Sequence, residues 1–295
     1  MITVDIFGGL GNQMFQYALG RHLALKTGSS LTLRHIDVGA FSKREYALGC
    51  FKLAKRVQVK SEVRGLMLEF TKVLEKIFPL GRGETFVREK SFRFDPKILK
   101  LNGSTRLAAR GKNIHLHGYW QSEKYFKDIR ETILEDFTPV HPLSGRNQKV
   151  LEEIERSNSV SVHVRRGDYV IDPKTHKFHG VCGPDYYRKA VEIVAKRVRE
   201  PVFYFFSDDI DWVKKNLKTR FRDVYVDWNT GEQSYLDMQL MSRCKHHILA
   251  NSSFSWWGAW LNRNPDKIVI APERWFQDQA VDTRDLIPEG WLRVK

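Results

Sequence analysis

The sequence predicts an α/β protein of two lobes, each built on a mainly parallel sheet covered by helices. Three observations carry this prediction. The chain opens strand, glycine loop, helix, as nucleotide-type α/β domains do. Near the middle, Thr138-Pro139-Val140-His141-Pro142-Leu143-Ser144-Gly145 breaks the periodic segments and reads as a linker. Beyond it, apolar strands alternate with helices to the end, the pattern of a parallel sheet with both faces covered. The expected division is 1–143 and 144–295.

In the first lobe, Ile2–Phe7 reads as a short buried strand. Gly8-Gly9-Leu10-Gly11-Asn12-Gln13 is a glycine loop, and Met14–Lys26 a helix with Phe15, Ala18, Leu19 and Leu23 on one face. Leu31–Arg34 is the second strand, and Glu62–Phe78 an amphipathic helix stopped by Pro79. Ile114–Tyr119 is a strand and Glu123–Asp136 a helix. In the second lobe the expected strands are Val160–Val164, Val202–Phe206, Val224–Asp227, His247–Ala250 and Lys267–Ala271. The helices between and around them are Asp185–Arg199, Ile210–Leu217, Ser234–Cys244 and Ser253–Leu261.

Composition narrows the function classes. Over 295 residues, 42% are hydrophobic and 12% aromatic, which supports a packed core and excludes disorder. A net charge of +14 attracts anions without choosing among nucleic acid, anionic lipid and phosphorylated small molecules. No helix carries the dense basic stripe of a DNA reader, and no aromatic RNA-binding signature is present, so nucleic acid is not an expected partner. Three scattered cysteines with no CxxC spacing fit a reducing compartment, with neither a disulfide framework nor a zinc site. No signal peptide and no stretch of roughly 20 apolar residues is apparent. The expectation is a cytoplasmic protein, or one peripheral to a membrane.

The densest chemistry lies at Val160-Ser161-Val162-His163-Val164-Arg165-Arg166-Gly167-Asp168-Tyr169. An alternating strand runs into two arginines, a glycine and an acid. Guanidinium forks match phosphate oxygens, and two arginines in a row on an apolar strand are costly unless an anion meets them. Alternation would send them to opposite faces, so the strand is expected to end there. After the apolar strand Phe203–Phe206, Ser207-Asp208-Asp209-Ile210-Asp211 offers a helix cap at Asp208 or Asp209. It also offers an Asp209/Asp211 pair that imitates a metal-binding DxD. Asn251-Ser252-Ser253-Phe254-Ser255-Trp256-Trp257 follows a strand and opens a helix. Its serines suit either a phosphate cradle or an N-cap, and its tryptophans suit packing. Asp237, on the preceding helix, is either a hydrogen-bond acceptor for guanine or part of a solvated face. The glycine loop lacks the third glycine of a dinucleotide fingerprint, since Met14 stands there. Asn12 and Gln13 are amides placed for sugar hydroxyls.

With IFGGLGNQMFQYALGRHLA, HGYWQSEKYF, HVRRGDY, FSDD, ANSSFSWWGAWL and APERWF in this order, the chain resembles the bacterial alpha-1,2-fucosyltransferase family over residues 6–276. The resemblance implies a GT-B fold, two Rossmann-like lobes facing a cleft. It implies inverting transfer of L-fucose from GDP-fucose to the 2-hydroxyl of a galactose, in an oligosaccharide or lipid-linked glycan such as an O-antigen, with no metal or other cofactor. It assigns Arg165 and Arg166 to the GDP diphosphate and His163 to the nucleotide. More distant fucosyltransferases suggest Asp237 for guanine and Ser252, Ser253 and Ser255 for the phosphates, while Gly11 and Asn12 belong to the first-lobe loop. Asp168 is either the general base or a brace for the arginines. The basic Lys52-Leu53-Ala54-Lys55-Arg56 stretch is a candidate contact with anionic membrane. Competing readings are a metal-dependent glycosyltransferase using Asp209 and Asp211, and a basic nucleic-acid or membrane-surface module.

Overall fold

The computed structural model describes residues 1–36, 45–55, 57–62, 84–101 and 113–295. It divides into two compact units, Met1–Val140 with Asp282–Leu286, and His141–Val281 with Ile287–Lys295. The passage from one to the other falls inside the predicted linker. Residues 282–286 rejoin the first unit through Asp285, which accepts from the Phe94 amide at 3.0 Å and from Lys124 Nζ at 2.5 Å.

The first unit holds a parallel sheet of β1 (Ile2–Ile6), β2 (Leu31–Ile36), β3 (Val57–Glu62), β4 (Glu84–Arg88) and β5 (Asn113–His117), in the order β3-β2-β1-β5-β4. Strand order therefore reverses between β1 and β5, where open α/β sheets carry ligands at the strands' carboxyl ends. Helix α1 (Leu10–Thr27) begins four residues before the predicted start, so Gly11, Asn12 and Gln13 lie in its first turn. Only Gly8 in the loop has a left-handed backbone, φ 76°; Gly9 is an extended N-cap. Gly20 lets α1 sit close on the sheet, since a Cβ there would stand 2.4 Å from Val4 Cγ2.

Two expectations for this unit change. The helix predicted over Glu123–Asp136 is two 3₁₀ turns, Glu123–Tyr125 and Lys127–Ile129, followed by α2 (Arg130–Asp136). Phe126, at φ −148° and ψ 2°, leaves helical geometry between the two turns. The helix predicted from Glu62 lies, beyond Glu62 itself, outside the described residues.

The second unit opens with α3 (Gly145–Arg156) and β6 (Asn158–Val164). Two short helices follow, α4 (Gly167–Ile171) and α5 (Pro173–His179), then α6 (Pro184–Ala195), β7 (Pro201–Ser207), α7 (Ile210–Asn216) and β8 (Arg222–Val226). The chain continues through α8 (Tyr235–Arg243), β9 (His246–Ile248), α9 (Ser253–Trp260), β10 (Val269–Pro272) and β11 (Leu292–Val294). The six strands are parallel, in the order β11-β10-β9-β6-β7-β8. Alternation sorts the apolar run of β7. Phe203 and Phe205 pack with Val160, Val162 and α6, while Tyr204 and Phe206 pack with α3 and α8. Strand order reverses between β6 and β9, bringing the loop after Val164 beside the loop after Ile248. Among the described residues no helix is long and apolar enough to cross a membrane.

Candidate active site

The register of β6 against β7 builds the centre of the second unit. Val164 lies opposite Ser207, so the residues that leave the strands, Arg165 and Arg166 on one and Asp208 and Asp209 on the other, emerge side by side. Arg165 pairs through Nη2 with Asp168 at 2.6 Å and through Nη1 with Asp208 at 2.9 Å. Arg166 pairs through Nε with Asp209 at 2.9 Å, and its guanidinium lies 3.9 Å from the Trp212 ring centre. The strand ends at Val164, as two successive arginines require. The anions that meet them are the protein's own carboxylates. Burial works against the charge on Arg165, but Asp208 and Asp168 outweigh it and hold its pKa up.

Asp208 is the keystone of this loop. Its Oδ1 accepts the Arg166 amide at 2.8 Å while its Oδ2 takes Arg165. Gly167 follows from the same carboxylate, because a Cβ there would stand 2.5 Å from Asp208 Oδ2. Asp209 accepts from the Trp212 amide at 3.3 Å and from Arg166, so it caps α7 and braces an arginine at once. Asp211 is an exposed acid in the first turn of α7. Among the described residues, no group of three or more His, Cys, Asp and Glu side chains is placed to hold a metal ion.

His163, two residues before Arg165 on the same strand face, is buried against the Phe254 ring, with centres 5.5 Å apart. Burial, aided by Arg165, lowers its pKa to about 3, so the imidazole is neutral at ordinary pH. Among the described residues its buried Nδ1 has no hydrogen-bond partner. Tyr169 stacks on His179 at 4.5 Å and donates to the Asn251 carbonyl at 3.4 Å, joining the two loops across the strand-order reversal. Asn251, 2% exposed, donates to the carbonyls of His179 at 2.8 Å and Trp275 at 3.2 Å. Sequence reasoning assigned no role to Tyr169, His179 or Asn251. Only the repeated presence of His, Tyr and Asn beside the arginine and serine segments pointed to them.

Asp237 does not lie on a solvated face. It is buried in the first turn of α8, and its Oδ1 accepts from Asn229 Nδ2 at 2.7 Å. Asn229 and Asn147 exchange two amide bonds at 2.8 and 2.9 Å, and Trp228 Nε1 donates to Asn147 at 2.8 Å. Burial raises the Asp237 pKa to about 7, against the opposing Asn229 bond.

The three serines separate. Ser252 caps α9, accepting from the Phe254 amide at 3.3 Å, and Ser253 is half-buried at the first helical position. Ser255 is fully buried, its hydroxyl bonded to the carbonyls of Ala250 and Ser252, so it lies beneath the loop rather than on its surface. Trp256 and Trp257 are core, packed with Trp260. In the first unit Gly11 is buried in α1, and Asn12 Oδ1 accepts from Gln121 Nε2 at 2.8 Å. Gln13 is not a sugar-facing amide. It is fully buried, donating to the carbonyls of Gly8 and Glu45 and accepting the Ala47 amide.

A family model described as glycosyl transferase family 11 matches residues 100–295. Over 100% of this chain and 99% of the relative, the sequence is 38% identical to an Escherichia coli alpha-1,2-colitosyltransferase. The chain belongs to glycosyl transferase family 11. The resemblance to the alpha-1,2-fucosyltransferase family is borne out by this membership. A second E. coli relative of the family-11 chain, the O-antigen biosynthesis glycosyltransferase WbnK, is 32% identical over 97% of the chain and 98% of its own length. Human galactoside alpha-(1,2)-fucosyltransferase 1 is 31% identical over 50% of the chain and 43% of the human protein. Among solved structures, the fucosyltransferase NodZ from Bradyrhizobium superposes with a TM-score of 0.51 at 15% identity, covering 88% of this chain and 90% of its own. That likeness concerns the fold, which is of the GT-B type with two α/β units on parallel sheets.

Proposed function

We propose that this family-11 glycosyltransferase moves L-fucose from GDP-fucose to the 2-hydroxyl of a terminal galactose, with inversion, on a glycan or lipid-linked glycan of a surface polysaccharide. The observation that carries the reading is the braced pair Arg165 and Arg166 at the strand-order reversal of the second unit. As the fucosyl carbon gains positive charge, the departing GDP gains negative charge on its β-phosphate. Cations already oriented by Asp168, Asp208 and Asp209 stabilise that charge without reorganising. In this reading Asp168 is a positioning residue, since its Oδ1 is engaged by Arg165. The two guanidiniums do the work a divalent ion does in other transferases, so activity persists in excess EDTA.

The nucleotide reading follows from the neighbours. Asp237 presents a buried carboxylate to guanine, whose adjacent ring and amino N–H groups suit a carboxylate acceptor. Neutral His163 offers its unpartnered nitrogen beside Arg165. Ser252 and Ser253 open α9, whose amino end favours phosphate. The E. coli relatives' names support an O-antigen glycan as acceptor. They also favour a second reading, in which the group moved is colitosyl.

The test is turnover of GDP-fucose and of GDP-linked colitose against a panel of galactosides, with linkage determined. Formation of an α-1,2 fucosyl galactoside, lost in Arg165→Ala, is the expected result. Full activity in Arg165→Ala, or transfer of colitose alone, overturns the fucosyl reading.

A further inference from the structure

A cavity of about 430 Å³ opens in the second unit, at the carboxyl ends of β9, β10 and β11. That is within the range of roughly 300–1,000 Å³ usual for small-molecule sites. Its walls are the end of α5 from His179 to Cys182, the loop after β9 at Asn251, and the loop after β10 between Glu273 and Gln277. Asn251 ties these walls together. Its buried Nδ2 donates to the carbonyls of His179 at 2.8 Å, Gly180 at 3.4 Å and Trp275 at 3.2 Å. The Gln277 amide adds a bond to the Phe178 carbonyl at 2.9 Å, and the Glu273 amide one to the Val294 carbonyl at 2.8 Å. Gly180, at φ 62°, lies against the Gln277 side chain, which a Cβ there would strike. Bonds to backbone carbonyls thus fix every wall.

An aromatic stack joins the cavity to the arginine pair of the same unit. The Arg165 guanidinium carbon lies 5.4 Å from the Tyr169 ring centre, Tyr169 stacks on His179 at 4.5 Å, and His179 lines the cavity. The floor is apolar. Phe276, 5% exposed, packs against the His179 ring at 5.4 Å, with Val181 and Val294 beside it. The rim is polar and carries both signs. Glu273, Arg274 and Gln277 are exposed, and Glu273 pairs with Lys295 at 3.7 Å. This lining disfavours simpler ligands. A phosphate would meet the Glu273 carboxylate, and a hydrocarbon tail would strip water from charged side chains. A pyranose matches it, with one apolar C–H face and a ring of hydroxyls that both donate and accept. The carboxylate accepts, the guanidinium donates, and the amide does either.

Resting on the fucosyl-transfer reading above, we propose that this cavity is a sugar subsite of the second unit, holding a pyranose ring of one of the two substrates. The ring lies with its C–H face toward Phe276 and its hydroxyls toward Glu273, Arg274 and Gln277. Two sources supply such a ring, the fucosyl group of the donor and a sugar of the acceptor glycan. The rim residues act by binding, so their effect falls on the Michaelis constant of whichever substrate carries the ring.

The test measures both Michaelis constants in Arg274→Ala and Gln277→Ala, which alter exposed side chains and leave the core intact, with GDP affinity read by calorimetry. Each variant removes one hydrogen-bonding group, so one constant is expected to rise about tenfold. A rise in the acceptor KM alone assigns the ring to the acceptor glycan. A rise in the KM for GDP-fucose, with GDP affinity unchanged, assigns it to the fucosyl group. Both constants within about twofold of wild type in both variants overturn the proposal. So does a loss of GDP affinity that accounts for the whole rise in donor KM. Saturation-transfer NMR with L-fucose and with methyl β-galactoside, in the presence of GDP, reads the subsite without turnover. Wild type is expected to contact at least one of these sugars, and the double variant Arg274→Ala, Gln277→Ala to lose that contact. An enzyme that shows this contact yet transfers nothing from any GDP-sugar overturns the fucosyl reading and leaves the subsite standing. Contact with neither sugar, in an enzyme without turnover, overturns both.

Discussion

The two units solve one geometric problem with opposite polarity. In each, a first strand sits at the strand-order reversal, and charged residues at the ends of parallel neighbours fall in line. In the second unit the guanidiniums of Arg165 and Arg166 are braced by more exposed carboxylates from the β6 and β7 loops, so the cations are the inner partners. In the first unit the carboxylate of Asp5 is innermost, held between Arg34 and His117, whose ring stacks on Phe7. A leaving diphosphate needs fixed positive charge. In one unit the acid is the buried member of its cluster; in the other the arginines are more buried than the acids that brace them.

Removing a guanidinium is the harshest test of that contrast. Arg165→Ala takes a cation from the diphosphate and removes the ion-pair partner that Asp168 and Asp208 share. The expected loss in transfer rate is on the order of 10³-fold, at the upper end for an electrostatic contact. Arg166→Ala releases only Asp209 and costs less. Arg165→Lys does not rescue, because a point charge cannot span two carboxylates as the fork does. Steady-state transfer by the three variants orders them. Equal losses for Arg165→Ala and Arg166→Ala would mean that the braces carry no weight.

The legible and illegible parts of the site divide along the same physical line. The ends of β6 and β7 were readable because Val160–Val164 alternates and Phe203–Phe206 is continuously apolar. That Arg165 would face Asp208 needed the register of two strands some forty residues apart, which no local pattern contains. The buried helix α1 was readable in existence but not at its start, since Gly9, not a side-chain cap, begins it. Strand β3, with Gln58, Lys60 and Glu62 among its six residues, and β11, only three residues long, lack the apolar run that announces a strand. The three serines of the α9 loop look alike in sequence. Ser255 differs only because its helical phase turns it inward.

Asp237 sharpens the contrast through pH. Its pKa rises from an ordinary value near 3.8 to about 7 in the fold. Between those values the folded state holds more protons than the unfolded one, so stability falls as pH rises from about 4 to 7 and then levels. Below pH 4 both states are protonated and the penalty vanishes. Asp237→Asn flattens this stretch of the melting profile, measured without nucleotide. His163 has the reverse sign. Its pKa is depressed to about 3, so the stability it contributes is present above pH 6.5 and is lost as pH falls toward 3. If guanine donates to ionised Asp237, GDP binding near pH 6 releases a proton. Calorimetry in buffers of different ionisation enthalpy reads that release directly, and its absence places the base elsewhere.

The smallest expected effects compare how the two units pack a helix. Gly20 sits where α1 crosses β1 and β2, and an added Cβ would stand 2.4 Å from Val4 Cγ2 and 2.9 Å from Leu31 Cδ1. Valine is stiff at χ1 and Val4 belongs to a buried central strand, so the neighbour cannot yield and the helix must move. Gly20→Ala is expected to cost about 1–3 kcal/mol. Gly258 lies where α9 meets α8, and its added Cβ would stand just as close, 2.4 Å, to Met241 Cε. That atom is the far end of an unbranched, adaptable side chain, so Met241 can swing aside and Gly258→Ala costs less. Thermal melts of the two variants decide it. An equal fall in Tm would mean that Met241 is wedged as firmly as Val4, and that the second unit's core has no more give than the first.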